Sequence, residues 1–200
     1  MYRDPVARLL SLRWSLSRED AEDLTQEFFT AAIEKEWFAR YDAGRGRFRA
    51  FLRRCLDDFT KTTFRDAARL KRGGDAQHVA LETEDVGAPA DAERLFEREW
   101  AKSVLAIASE RLRAECVDSS KEVAWRLFER YDLTDAPDES RPTYAALGLE
   151  FGAPVTQVTN HLSWARRRMR DHVLATLRSL TGDDEEYRDE VRSLLGAVRP

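Results

Sequence analysis

Phe48, Phe51, Leu52, Cys55, Phe59 and Thr63 recur three and four positions apart, which is the spacing of one face of an α-helix. A chain with this period cannot place the same residues on one side of a strand, where the repeat is two. The pattern is not isolated. Val6, Leu9, Leu10 and Trp14 form a shorter stripe, and Leu24, Phe28, Ala31 and Ala32 form another, flanked by Phe29, Ile33 and Trp37. Further on, Phe96, Trp100, Val104 and Ile107, then Val123, Leu127 and Tyr131, repeat at the same step. No segment alternates with the strand period, so the chain is expected to be all-α.

Punctuation divides these helices into groups. Ser17 precedes Arg18-Glu19-Asp20, an N-cap serine with an acid at the third helical position, close to a capping box. Gly44 and Gly46 interrupt the periodicity as a loop, and Gly73-Gly74 stops the long third helix. The acidic stretch after it, with Gly87 and Pro89 and little periodicity, reads as a flexible linker. The expected organisation is a helical domain over 1–72, a linker over 73–93, a second helical domain over 94–180 and a tail helix over 181–200. A loop from Leu133 to Arg141 ends at Pro142. The tail, with Val191, Leu194, Leu195 and Val198 on one face, is expected to pack against the second domain or against a regulator.

Charge is distributed in blocks that the net value of -4 conceals. Residues 40–72 carry eleven Arg or Lys against four acids, and 155–178 five Arg against one Asp. Three acidic blocks oppose them. Residues 17–36 hold seven acids and two bases, 75–99 eight and two, and 181–190 six and one. With 35% of residues charged, solvated charged faces are expected everywhere, but that explains the acidic blocks better than two separate basic clusters.

Several classes are excluded early. No apolar run reaches the length of a membrane span, and no apolar signal core follows the N-terminus, so a cytoplasmic location without membrane attachment is expected. Cys55 and Cys116 are too few for a disulfide framework. With His78, His161 and His172 they lack the paired spacing of a structural zinc site, so no metal or other cofactor is expected. No nucleophile–His–acid constellation or phosphate-cradling glycine loop is present.

Three segments carry chemistry. In Thr143 to Arg170, a nine-residue helix, a short turn at Gly152-Ala153 and a longer helix from Pro154 make a helix-turn-helix. Gly152 suits the reversal, and Gly148, inside the first helix, suits an approach too close for a side chain. Val158, Leu162, Ala165 and Met169 would turn inward, leaving Thr156, Gln157, Thr159, Asn160 and His161 for base edges. Arg166, Arg167, Arg168 and Arg170 follow as phosphate anchors. The second segment, Asp20 to Phe29, sets Asp20, Glu22, Asp23 and Glu27 opposite its apolar stripe, a face suited to a basic partner. In the third, Arg45, Arg47, Arg49, Arg53, Arg54 and Lys61 interleave with aromatics, the combination that single-stranded DNA requires. Phe48, Phe51, Phe59 and Phe64 share the apolar stripe and are expected in the core rather than as stacking platforms.

Asp20 to Phe29 followed by Gly44 to Leu52 resembles region two of bacterial RNA polymerase sigma factors, and Thr143 to Arg170 is similar to their region four. The order of the two, without an intervening region three, resembles the extracytoplasmic-function type. The resemblance implies two small helical domains, a region-two bundle and a region-four helix-turn-helix, joined by a flexible linker. It implies that Asp20, Glu22, Asp23, Gln26 and Glu27 dock on the β′ clamp helices of core polymerase. Arg45, Arg47, Arg49, Arg53, Arg54 and Lys61 would hold the melted promoter strand. Thr156, Gln157, Thr159, Asn160, His161, Arg166, Arg167 and Arg170 would read duplex DNA while region four rests on the β flap. The implied partners are core polymerase and promoter DNA, with room for an anti-sigma factor, and no catalytic residue is implied. Thr159, His161 and Trp164 stand where relatives often carry basic residues, which implies weaker duplex affinity.

Two other readings compete. A stand-alone helix-turn-helix regulator would use only the second domain. An all-α, Mg²⁺-dependent nucleotide pyrophosphohydrolase would need Glu22, Asp23 and Glu27 to converge with Asp57 and Asp58.

Overall fold

The computed structural model describes residues 1–72, 89–134 and 140–198. Among them are eight α-helices and no strand: α1 (Arg3–Arg13), α2 (Arg18–Glu34), α3 (Phe48–Arg72), α4 (Pro89–Asp118), α5 (Glu122–Asp132), α6 (Tyr144–Phe151), α7 (Val155–Arg178) and α8 (Asp184–Val198). The all-α expectation holds. Of the expected linker, residues 73–88 lie outside the described residues, as do 135–139 of the expected loop. Residues 89–93 are the first turns of α4, with Pro89 at the first helical position, where its missing N–H costs nothing.

Local signals set the helix ends. Ser17 Oγ accepts from the Asp20 amide at 3.1 Å and donates to Asp20 Oδ2 at 2.6 Å, which starts α2. Thr143 caps α6 in the same way through the Ala146 amide, and Gly152, at φ +63°, ends it in the left-handed region. Ala153 then donates its N–H to the Gly148 carbonyl. A Cβ on Gly148 would sit 2.7 Å from the Ala153 oxygen, so the close approach expected there is to the backbone of the turn itself.

The chain forms two compact units, 1–101 with 182–200, and 102–181. This differs from the expected division in two respects. The first part of α4 belongs to the first unit, since Phe96 is fully buried in the same cluster as Leu9, Leu10, Phe28, Leu52 and Leu56. The tail helix α8, expected to pack against the second domain or against a regulator, falls in the first unit. In the second unit, Leu112, Leu127, Phe128, Leu147, Val158, Leu162 and Ala165 form the core. Each fully buried Leu or Phe stabilises its unit by about 1.5–3 kcal/mol.

The buried face of α3 is rotated from the one the apolar spacing predicts. Its deepest row is Arg49, Leu52, Leu56 and Thr60, all 2% exposed or less. Phe48, Phe51, Cys55, Phe59 and Thr63 lie beside that row and are half-buried. Aromatic pairing accounts for the shift. Phe48 packs edge-on against Tyr2, Phe38 and Tyr41, and Phe59 against Phe28 and Trp37, so the rings line the margin of the core instead of its centre.

Candidate nucleic-acid and partner interfaces

Most residues of the expected docking surface lie on the outward face of α2. Asp20, Asp23, Gln26 and Glu27 are exposed, while Ala21, Leu24, Thr25 and Phe28 are buried behind them. Asp23, Gln26 and Glu27 have no ionic or hydrogen-bonding partner among the described residues. Glu22 is half-buried and paired with Arg18 at 2.8 Å, which holds its carboxyl below the usual range. A helix surface with unpaired acids is available to a basic partner without breaking any existing bond.

Basic residues of the first unit separate into two sets. Arg47, Arg54 and Lys61 are exposed, and Arg45 is exposed with a loose ion pair to Asp42 at 3.4 Å. Arg54 lines a cleft of about 550 Å³ together with Lys35, Arg40, Trp37, Phe51 and Phe59. Three cations and three aromatic side chains line this cleft together with the carboxylates of Asp58 and Asp66, and the cations and rings can take the phosphates and the unstacked bases of a single strand. Lys35, Trp37 and Arg40 were not among the expected strand-binding residues, and Phe51 and Phe59 were expected wholly in the core. Their signal was present, because Trp37 and Arg40 flank the interrupted helix, but only the fold brings them opposite Arg54.

Arg49 and Arg53 form the other set, and here the expectation needs correction. Arg49 is fully buried. Its Nη2 and Nε donate to Glu190 at 2.5 and 3.2 Å, its Nη1 to Glu97, and its guanidinium lies 3.6 Å from the centre of the Trp100 ring. Arg53 donates to Glu93 at 2.5 Å and approaches Phe96. Both are held by carboxylates, Arg49 out of solvent and Arg53 half-buried, so neither is a free phosphate ligand in this arrangement. The acidic blocks from α4 and α8 neutralise part of the first basic block.

In the second unit, Thr156, Gln157, Thr159 and Asn160 are exposed at the start of α7, His161 is half-buried, and Val158, Leu162 and Ala165 are buried beneath them. Thr159 donates its hydroxyl to the Val155 carbonyl at 2.9 Å, which leaves its methyl outward. Arg167 and Arg170 are exposed without partners among the described residues. Arg166 differs from the expected phosphate anchor, because it is bonded to Asp132 through two nitrogens and to Tyr144 through a third. Arg168 donates to Glu115 at 2.8 Å and to Asp171 at 2.9 Å.

Residues 1–70 match the family model of sigma-70 region 2. The match covers 70 of the 200 residues, the part of the chain that carries the α2 face and the aromatic cleft. The matched segment is helical and comprises α1, α2 and most of α3. No curated protein and no solved structure matches the chain at a significant level.

Among the described residues no group of three or more His, Cys, Asp or Glu is placed to hold a metal ion. Of the acids that the hydrolase reading needs, Asp57 is paired with Arg13 at 2.6 Å and Glu22 with Arg18 at 2.8 Å. Burial raises both the Cys55 and Cys116 thiols, which keeps them protonated and poorly nucleophilic at neutral pH. Among the described residues no helix is long and apolar enough to cross a membrane.

Proposed function

We propose that the chain is a cytoplasmic sigma factor of the extracytoplasmic-function type, which directs core RNA polymerase to promoters and supports their melting. The observation that carries this reading is the unpaired Asp23–Gln26–Glu27 face of α2 within the segment that matches region 2. That face docks on the β′ clamp helices, with Asp20 and Glu22 at its edge. The cleft with Lys35, Arg40, Arg54, Trp37, Phe51 and Phe59 takes the separated promoter strand, and Arg45, Arg47 and Lys61 add exposed cations to the same unit.

Melting then needs no nucleotide hydrolysis. Each base stacked on an aromatic face contributes about 1–3 kcal/mol, which offsets the loss of stacking in the duplex. The α6–α7 helix-turn-helix reads the upstream duplex through Thr156, Gln157, Thr159, Asn160 and His161, anchored on phosphates by Arg167 and Arg170, while its unit rests on the β flap.

Purified chain mixed with core polymerase and a genomic promoter pool is expected to produce run-off transcripts that core alone does not. If the chain fails to bind core polymerase and yet binds duplex DNA, the stand-alone regulator is the correct reading.

A further inference from the structure

We infer that α8 is a displaceable clasp, which fills the corner of the first unit formed by Tyr41 and Arg49 and competes with single-stranded nucleic acid for it. The inference rests on the strand-binding reading of the neighbouring cleft and adds a regulation of that site.

The geometry is that of an anionic segment lying where phosphates would lie. Arg49 sits at the start of α3, and two of its nitrogens are taken by the Glu190 carboxylate of α8. Tyr41 donates its hydroxyl to Glu186 Oε1 at 2.7 Å, one helical turn before Glu190. The Tyr41 ring packs at 5.2 Å on Phe48 and at 5.6 Å on Phe51, and Phe51 also lines the aromatic cleft. A guanidinium and a connected row of rings is the set that holds a phosphate and stacks bases. Here carboxylates from a segment with six acids in ten residues satisfy it.

Two observations make the helix a clasp and not a fixed wall. Among its described side chains Leu194 is the one fully buried apolar residue, with Tyr187 and Val191 half-buried and Leu195 64% exposed, so α8 lacks the deep apolar row that anchors α3. Ionic and hydrogen bonds add to its grip, among them Glu190 to Arg49, Glu186 to Tyr41, and Ser193 to Glu97 at 3.3 Å. Burial pushes the Glu190 carboxyl above the ordinary range despite Arg49 beside it, which marks the cost of keeping that charge inside. A competing polyanion can replace these bonds in kind and return Glu190 to water.

The test uses the full-length chain. Leu194→Asp removes the apolar anchor and alters no residue of 1–101. Its α8 amides are expected to lose hydrogen-exchange protection. Its affinity for a short fluorescein-labelled single-stranded oligonucleotide of mixed sequence, read by anisotropy, is expected to rise about tenfold, the worth of one added charge-assisted bond with stacking. In the unaltered chain the same oligonucleotide should itself deprotect α8. Glu186→Gln with Glu190→Gln keeps the shape of the helix and should raise the affinity in the same direction by a smaller factor.

The clasp is overturned if affinity stays level or falls with α8 released. Persistent α8 protection with the oligonucleotide bound, or in the Leu194→Asp chain, overturns it too, since a helix held so firmly is a fixed part of the unit. So does unfolding of the first unit by Leu194→Asp combined with no gain in the double glutamine chain. Core-polymerase binding, measured on the same chains, tests the sigma-factor reading separately, because it depends on Asp23 and Gln26 and not on α8.

Discussion

Arg166 holds Asp132 with both prongs of its guanidinium, Nε to Oδ2 and Nη2 to Oδ1, each at 2.9 Å. Its remaining amine donates to the Tyr144 hydroxyl at 3.2 Å, and its plane lies 5.4 Å from the Tyr131 ring. One side chain of α7 thus ties the end of α5 to the start of α6. Its job is to fix the angle at which the helix-turn-helix is presented, and this raises the pKa of the guanidinium above its already high value.

Arg166→Ala is therefore expected to lower the stability of the second unit by about 1 kcal/mol, the scale of a partly exposed but bidentate pair. Arg167→Ala and Arg170→Ala, at exposed positions, should leave stability within about 0.5 kcal/mol. Their effect falls on DNA. Each should weaken duplex binding and reduce the slope of log affinity against log salt by about 0.9 for each phosphate no longer neutralised. Thermal melts and salt titrations of all three variants separate the positioning residue from the anchors.

On α2 the expectation is a loss of partner binding without a loss of fold. Asp23→Ala with Gln26→Ala removes two exposed side chains that have no partner among the described residues, so stability should stay within about 0.5 kcal/mol. Association with core polymerase in a pull-down should disappear. Retained association would remove this face from the docking surface.

Gly148→Ala tests the turn. In an open helix the change would stabilise by about 1 kcal/mol through helix propensity. Here the new Cβ would lie 2.7 Å from the Ala153 carbonyl, a backbone atom that cannot rotate away. Steric overlap wins, and the variant is expected to lose about 1–3 kcal/mol, read from the midpoint of urea unfolding. A gain in stability would show that the turn can yield.

Glu115 supplies the pH dependence of the second unit. Arg168, at 2.8 Å, holds its carboxyl below the usual carboxylate range, with His172 at 2.7 Å adding to the effect against partial burial. A depressed carboxylate contributes stability that is fully present above its unfolded pKa of about 4.3 and is lost as pH falls through the folded value. Glu115→Gln should therefore lower Tm at neutral pH, by about 1 kcal/mol of stability or less for this partly exposed group. The two melting curves should converge in acid. Parallel Tm profiles of the two chains across the acidic range would contradict this.

The helices, their caps and the turn between α6 and α7 were legible without coordinates because each rests on interactions within a few residues. Ser17 meets Asp20, Thr143 meets Ala146, and Gly152 turns the chain alone. The same holds for the α2 face, whose buried and exposed sides follow from the helical repeat. Sequence alone therefore determined the all-α class, the position of region 2 and the outward acids. What only the tertiary structure decided is which charges remain free. Arg49 is satisfied by Glu97 and by Glu190, 48 and 141 positions away, and Arg166 by Asp132, 34 positions away. No local pattern encodes such pairings. A guanidinium looks the same in sequence whether it waits for a phosphate or already holds a carboxylate, and the difference is made by the distant helix that the core brings against it.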